Sequence, residues 1–157
     1  MQAAATHLKL GPGWAPIDCL RVLSALPLQS LELTGFGFGQ ADLMVLASWR
    51  SLRELKWEGA GQDVLTDAQL VPVLAAMPQL EALKLWGSSS QPGSPDHSMN
   101  LDLVRAALEH CRELRELFVD ACQDREGSGQ APCQTAEAHA VATSMGRQDV
   151  KLYVRTH

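Results

Sequence analysis

The sequence predicts an α/β domain in which amphipathic helices alternate with short, half-buried strands, and three observations carry that prediction. One five-position apolar pattern recurs along the chain. Within each copy the apolar spacing changes from the period of a helix to that of a strand. The residues between later copies are rich in glycine, serine and proline, the composition of loops.

The pattern is plainest in three segments. These are Leu46-Ala-Ser-Trp49-Arg-Ser-Leu52-Arg-Glu-Leu55-Lys-Trp57, Leu74-Ala-Ala-Met77-Pro-Gln-Leu80-Glu-Ala-Leu83-Lys-Leu85 and Leu108-Glu-His-Cys111-Arg-Glu-Leu114-Arg-Glu-Leu117-Phe-Val119. In each, large apolar or soft residues stand at offsets 0, 3, 6, 9 and 11. A fourth copy, Leu23, Leu26, Leu28, Leu31 and Leu33, fits once one residue is deleted. Partial copies occupy the ends, at His7–Leu10 and Val150–Val154.

Offsets 0 and 3 continue an upstream stripe such as Leu43 and Leu46, or Leu70 and Leu74, which buries one face of a helix. Offsets 9 and 11 are two apart, the period of a strand with one buried face. The unit is therefore helix, short turn, strand. Helices are expected at about 16–26, 42–50, 67–77, 101–111 and 136–145, and strands at about 7–10, 30–34, 54–58, 82–86, 116–120 and 150–155. Thr66 with Gln69 makes a capping box for the third helix, and Asn100 suits the N-cap of the fourth. Pro27 and Pro78 fall at helix ends, where no interior helix bond is lost. Trp49 and Trp57 occupy leucine positions and are expected in the core.

Leu52-x-x-Leu55-x-Trp57, Leu80-x-x-Leu83-x-Leu85 and Leu114-x-x-Leu117-x-Val119 resemble the signature of leucine-rich repeat proteins, specifically the longer helical repeats of the ribonuclease-inhibitor type. The resemblance covers nearly the whole chain, as one domain over 1–157 with about five helix–strand units. The asparagine or cysteine usual after the strand is absent, with Gly59 and Gly87 near that turn instead. The resemblance implies a leucine-rich-repeat solenoid, a short horseshoe arc with a parallel β-sheet on its concave face and α-helices on its convex face. It also permits a fragment of a larger substrate receptor of the ubiquitin-ligase type.

First strand leucines stand at 8, 31, 55, 83, 117 and 152, so the steps lengthen from 23 to 35 residues. The helix-to-strand side stays constant, since Leu46 to Leu52, Leu74 to Leu80 and Leu108 to Leu114 are all six apart. Growth is confined to the strand-to-helix loops, above all 86–100 and 120–135. Such insertions commonly gather on one rim of a repeat array and bind partners there. Loops also lengthen without function, because added length costs little stability.

Strand residues that alternate with the leucines should line the concave face. The early strands offer Lys9, then Ser30, Glu32 and Thr34, then Glu54, Lys56 and Glu58, a polar set of mixed sign. The later strands offer Ala82, Lys84 and Trp86, then Glu116, Phe118 and Asp120, then Lys151, Tyr153 and Arg155. Aromatic anchors flanked by charge typify interface hot spots. The expected partner-binding set is therefore Lys56, Lys84, Trp86, Glu116, Phe118, Tyr153 and Arg155. The alternative is that the long loops cover these rings as a satellite core.

Catalytic and metal readings are weaker. Gly35-Phe-Gly37-Phe-Gly39 follows a strand and opens a helix, which approximates a dinucleotide-binding turn and makes a nucleotide-binding α/β enzyme the alternative function. Its sixth position is Gln40, however, and Gly35 has counterparts at Gly59 and Gly87, as a repeat turn requires. Cys111 aligns with Trp49 and Met77 and reads as a small buried hydrophobe. A zinc site from Cys111, Cys122, Cys133 and His110 or His139 lacks the close ligand pairs of structural zinc. No nucleophile elbow, HExxH or P-loop motif occurs. No cofactor or metal is expected.

Composition agrees. The 157 residues carry 13 basic and 18 acidic side chains, a net charge of −5, with 46% hydrophobic and 20% charged residues. An isoelectric point near 5.5 without a basic cluster argues against nucleic acid. No apolar run approaches membrane-spanning length, and the first residues lack the features of a signal peptide. The expectation is an intracellular, cytoplasmic, non-catalytic protein–protein recognition scaffold whose four cysteines remain thiols. Neither end carries the polar cap usual in solenoids, so end-to-end self-association through the termini is a further expectation.

Overall fold

The computed structural model describes residues 6–11, 16–34, 40–58, 67–86, 101–121 and 134–156. Among them strands and helices alternate strictly: β1 (His7–Leu10), α1 (Pro16–Leu23), β2 (Ser30–Thr34), α2 (Gln40–Ala47), β3 (Glu54–Glu58), α3 (Asp67–Ala75), β4 (Ala82–Trp86), α4 (Leu101–His110), β5 (Glu116–Ala121), α5 (Gln134–Ser144) and β6 (Lys151–Thr156). The strands form one parallel sheet in sequence order, β1 to β6. Each helix packs on the next, α1 through α5, so the helices make a single row.

Register follows the leucines. Leu8, Leu31, Leu55, Leu83, Leu117 and Leu152 stand opposite one another across the five strand pairs. Leu10, Leu33, Trp57, Leu85, Val119 and Val154 make the second column. Both columns are buried except Leu8 and Val154, half-buried on the edge strands. Against them pack Leu43 and Leu46 of α2, Leu70, Val73 and Leu74 of α3, and Leu103, Val104, Ala107 and Leu108 of α4. All fifteen apolar positions of the three plainest copies are buried, Trp49 and Trp57 included. Burying one leucine contributes ~1.5–3 kcal/mol, and a five-residue strand with one helix cannot enclose its own. Each unit is dry only between its neighbours.

The fourth copy departs from expectation. Leu28, Leu31 and Leu33 are buried, but Leu23 is half-buried and Leu26 is 45% exposed. The missing residue in this copy leaves no slot for Leu26, which turns outward while Leu20 fills the core from the preceding helix turn. The helices also end earlier than the apolar periodicity predicts, α1 by three residues and α2 by three. Beyond the helix, tight turns keep the next apolar residue buried: the Trp49 amide donates to the Leu46 carbonyl (3.1 Å) and the Met77 amide to Leu74 (3.0 Å). The stripe therefore outruns the helix. Thr66 and Asn100 lie outside the described residues.

A ladder of shared carbonyls ties unit to unit. The residue before each strand accepts two amides from the next unit: Thr6 from Gln29 and Ser30, Gln29 from Arg53 and Glu54, Arg53 from Glu81 and Ala82, Glu81 from Arg115 and Glu116, at 2.7–3.1 Å. Both lone pairs of each carbonyl are used. The Arg115 carbonyl continues the ladder into the last unit, accepting the Lys151 amide at 2.8 Å.

The last unit adds a latch. Gly146, at φ 68°, ends α5 in the left-handed conformation that glycine permits. The Gly146 amide donates to Thr143 and the Arg147 amide to Ala142, closing the helix with the paired bonds of a Schellman motif. Arg147 then reaches back to the preceding unit. Its guanidinium donates to the carbonyls of Leu108 (2.7 Å), Cys111 (3.3 Å) and Leu114 (2.8 Å), at the C-terminal end of α4 and the turn that follows. A cation there also meets the negative end of the helix dipole. Arg147→Ala should therefore lower the stability of the protein by ~2 kcal/mol, since partly buried carbonyls lose a charged donor. Arg147→Lys should recover only part, because an ammonium cannot fork across three acceptors. Urea unfolding midpoints check this, and an unchanged midpoint for the alanine variant would show the latch to be idle.

Candidate functional site

One sheet face is covered by the helices. Along each strand the residues that alternate with the buried columns face away from them, and in strand register they form rows. The first row runs Ser30, Glu54, Ala82, Glu116 and Lys151; the second runs Glu32, Lys56, Lys84, Phe118 and Tyr153; the third runs Thr34, Glu58, Trp86, Asp120 and Arg155. The side chains of Asp120 and Arg155 lie outside the described residues.

The first two rows interlock by charge. Glu54 is the hub: it accepts the Ser30 hydroxyl (2.9 Å) and pairs with Lys56 (3.3 Å) and Lys84 (3.4 Å). Lys84 reaches onward to Glu116 at 3.3 Å. Lys9, on β1, is bound to Glu32. Burial would raise the Glu54 carboxyl, but the Ser30 hydrogen bond and the two ammoniums outweigh it and hold the group below its ordinary value of 4.5. Burial would likewise lower the Lys84 ammonium, but Glu116 and Glu54 prevail and raise it.

The aromatic residues collect on the later strands. Trp86 and Phe118 are half-buried, with ring centroids 5.1 Å apart and planes tilted by 37°, within the range of a favourable aromatic pair. Tyr153 follows in register with Phe118 and is 47% exposed. Beside this cluster lies a depression of about 450 Å³ walled by Glu32, Thr34, Lys56, Glu58, Lys84 and Trp86. A second hollow of about 340 Å³ sits between α5 and β6 and includes His139, Ala142, Val150 and Tyr153.

Six of the seven expected partner-binding residues thus have described side chains on one face. Lys84 and Glu116 touch, Trp86 and Phe118 touch, and Tyr153 adjoins them in register. Lys56 is drawn toward the hub instead. Glu54, Glu58 and Arg147 were not among the expected residues. Glu54 was legible from register, since an in-line sheet sets it beside Ser30 and one step from Lys84. Arg147 was legible as a cation three residues before Val150, where Cys111 stands three before Leu114.

Other candidates resolve simply. Cys111 is fully buried, its Sγ 3.7 Å from the Leu74 carbonyl, and burial pushes its thiol up to about 12 although Arg147 pulls the other way. His110 is half-buried, and His7 and His139 are exposed. Among the described residues no group of three or more His, Cys, Asp or Glu could hold a metal, and no helix is long and apolar enough to cross a membrane. The Gly35–Gly39 turn, Cys122, Cys133 and most of the loops 86–100 and 120–135 lie outside the described residues.

The environments of Glu54 and Cys111 each have a measurable consequence. A carboxyl held low when folded contributes stability above its unfolded value, which is lost as pH falls through the folded one. Glu54→Gln should therefore flatten the fall in stability below pH ~4.5 relative to the parent protein, as read from unfolding midpoints between pH 7 and 3. Superimposable pH profiles would contradict the hub. A thiol displaced to about 12 is almost all protonated near neutrality. Cys111 should resist iodoacetamide at pH 8 in the folded protein and react once urea unfolds it, as followed by peptide mass mapping.

No protein-family model matches the chain, and no significant match to it is found among curated proteins or solved structures.

Proposed function

We propose that the chain is a leucine-rich-repeat solenoid of the helical, ribonuclease-inhibitor-like kind and acts as a non-catalytic scaffold that recognises a partner protein on its open sheet face. The lengthened strand-to-helix segments 86–100 and 120–135, most of which lie outside the described residues, would contribute contacts to that partner. The recurrent in-register leucines and the unit-to-unit carbonyl ladder support the repeat architecture. The observation that carries the function is the aromatic cluster of Trp86, Phe118 and Tyr153 on a sheet face that is otherwise mostly polar, with Glu32, Glu54, Lys56, Lys84 and Glu116 held in ion pairs.

Aromatic surface in water is unfavourable unless something covers it, and contiguous exposed apolar patches mark interaction sites. Here the rings stand beside charges already held in place. Lys84 and Glu116 fix one edge of the cluster, and Lys56 extends it toward β3. Arg155 occupies the register position two strands from Trp86. A partner gains affinity by covering the rings and gains register from the flanking charges.

The test is a lysate capture with the parent protein and a Trp86→Ala/Phe118→Ala/Tyr153→Ala variant, read by mass spectrometry, with circular dichroism showing both folded. Hot-spot rings each contribute more than ~1–2 kcal/mol when truncated, so the variant should lose a partner the parent retains. Identical captures would remove the open face as the binding surface.

A further inference from the structure

The ion pairs of the early strands on the open face leave one carboxylate over, and that carboxylate has a location. Lys9 is bound to Glu32, Lys56 to Glu54, and Lys84 to both Glu54 and Glu116. Three ammoniums therefore serve three carboxylates. A further carboxylate of these strands, Glu58, has no ion-pair partner among the described residues. Lys9 feels its charge, but Lys9 is held by Glu32.

Glu58 is exposed at the end of β3 and stands in register with Trp86 on β4. Neighbouring strands lie ~4.8 Å apart, so an acid and an indole border one gap. Both line the depression of about 450 Å³, whose two lysines are already committed to Glu54 and Glu116. On the other side of Trp86, the register position on β5 is again an acid, Asp120.

We infer that this depression seats an arginine side chain of the bound protein, its guanidinium lying against Trp86 and hydrogen-bonded to Glu58. The chemistry selects this occupant. An anion would meet the unpaired Glu58 carboxylate, and the lysines that line the depression are already paired. An uncharged apolar group would leave Glu58 desolvated without a partner. A guanidinium is planar, stacks on an indole and presents paired donors to a carboxylate, and it sheds water more readily than an ammonium. The inference rests on the reading of the open face as a protein-binding surface and specifies what that surface takes.

Short peptides test it before any partner protein is identified. In ¹⁵N-labelled protein the indole resonance of Trp86 is assigned by its loss in Trp86→Phe. The parent is then titrated with the acetylated, amidated tripeptide Leu-Arg-Leu, with its lysine counterpart, and with a citrulline counterpart of the same shape but no charge. The arginine peptide should move the Trp86 resonance saturably. The citrulline peptide should bind ~5-fold or more weakly, and the lysine peptide between the two. Glu58→Gln, at an exposed site that leaves the rest of the spectrum in place, should bring arginine binding down to the citrulline level. No movement with the arginine peptide, equal binding of citrulline, or undiminished binding by Glu58→Gln would each overturn the inference. The two readings also fail separately. A partner lost by the triple aromatic variant but indifferent to Glu58→Gln keeps the recognition face and removes the arginine seat.

Discussion

The structure depends on one constraint: every unit must be stacked in register on the next, because no unit can bury its own leucines. A strand slipped by one residue would carry its leucines to the face opposite the helices and its glutamates into the core. The carbonyl before each strand guards against that slip. By accepting amides of the following unit (two in succession before β1 to β4, one before β5), it fixes where the next strand begins. The same in-line stacking decides the open face. Rows of side chains there are inherited from the register the core demands, and charge and aromatic neighbours fall where the repeats place them.

A parallel sheet usually carries helices on both faces; among the described residues the helices form one row, and side chains alone meet on the opposite face. On the early strands that is done by ion pairs. Half-exposed pairs contribute ~0–1 kcal/mol each, so the lattice around Glu54 adds little stability. Its effect is geometric: Lys84, which would otherwise sweep through solvent, is held between carboxylates on the two neighbouring strands, and Lys9 and Lys56 are each held by one carboxylate. On the later strands rings replace ions. Trp86 against Phe118 removes apolar area from water and adds ~0.5–1.5 kcal/mol as an aromatic pair, while Tyr153 keeps nearly half its surface exposed. The face thus passes from saturated polar pairing to incompletely covered aromatic surface within three strands.

Most of the fold was legible because two periods coexist in the repeat and neither tolerates slippage. The strands fell where the two-residue alternation put them, and Trp49, Trp57 and Cys111 were assigned to the core by alignment alone. What alignment misplaced has a physical cause in each case. Leu26 follows the sequence pattern but not the packing, since a turn one residue shorter cannot aim it inward. Helix ends were overextended because an apolar stripe continues through the tight turn after the hydrogen bonds of the helix stop. Arg147 escaped notice because its role belongs to the backbone: it fills a column of apolar residues, yet it binds carbonyls that a side-chain pattern does not display. The hub at Glu54 required pairing across strands, which the leucine register supplies but a reading of single strands does not.

The two halves of the open face are complementary in what they ask of anything that binds there. Freezing a flexible lysine at an interface costs about 0.5–1.5 kcal/mol, and here the lysines are already restrained by their carboxylates, so that cost falls largely on folding. The lattice offers little new attraction, because its charges are matched, and it penalises an apolar surface that would strip water from them without replacement. On the proposed role it would therefore act by exclusion. Under the proposed recognition role, attraction would come from where matching fails, at the rings of β4 to β6 and at Glu58. On that proposal the discrimination of partners and their affinity would reside in different strands, and the placement of both sets of side chains follows from a register set by leucines on the opposite face.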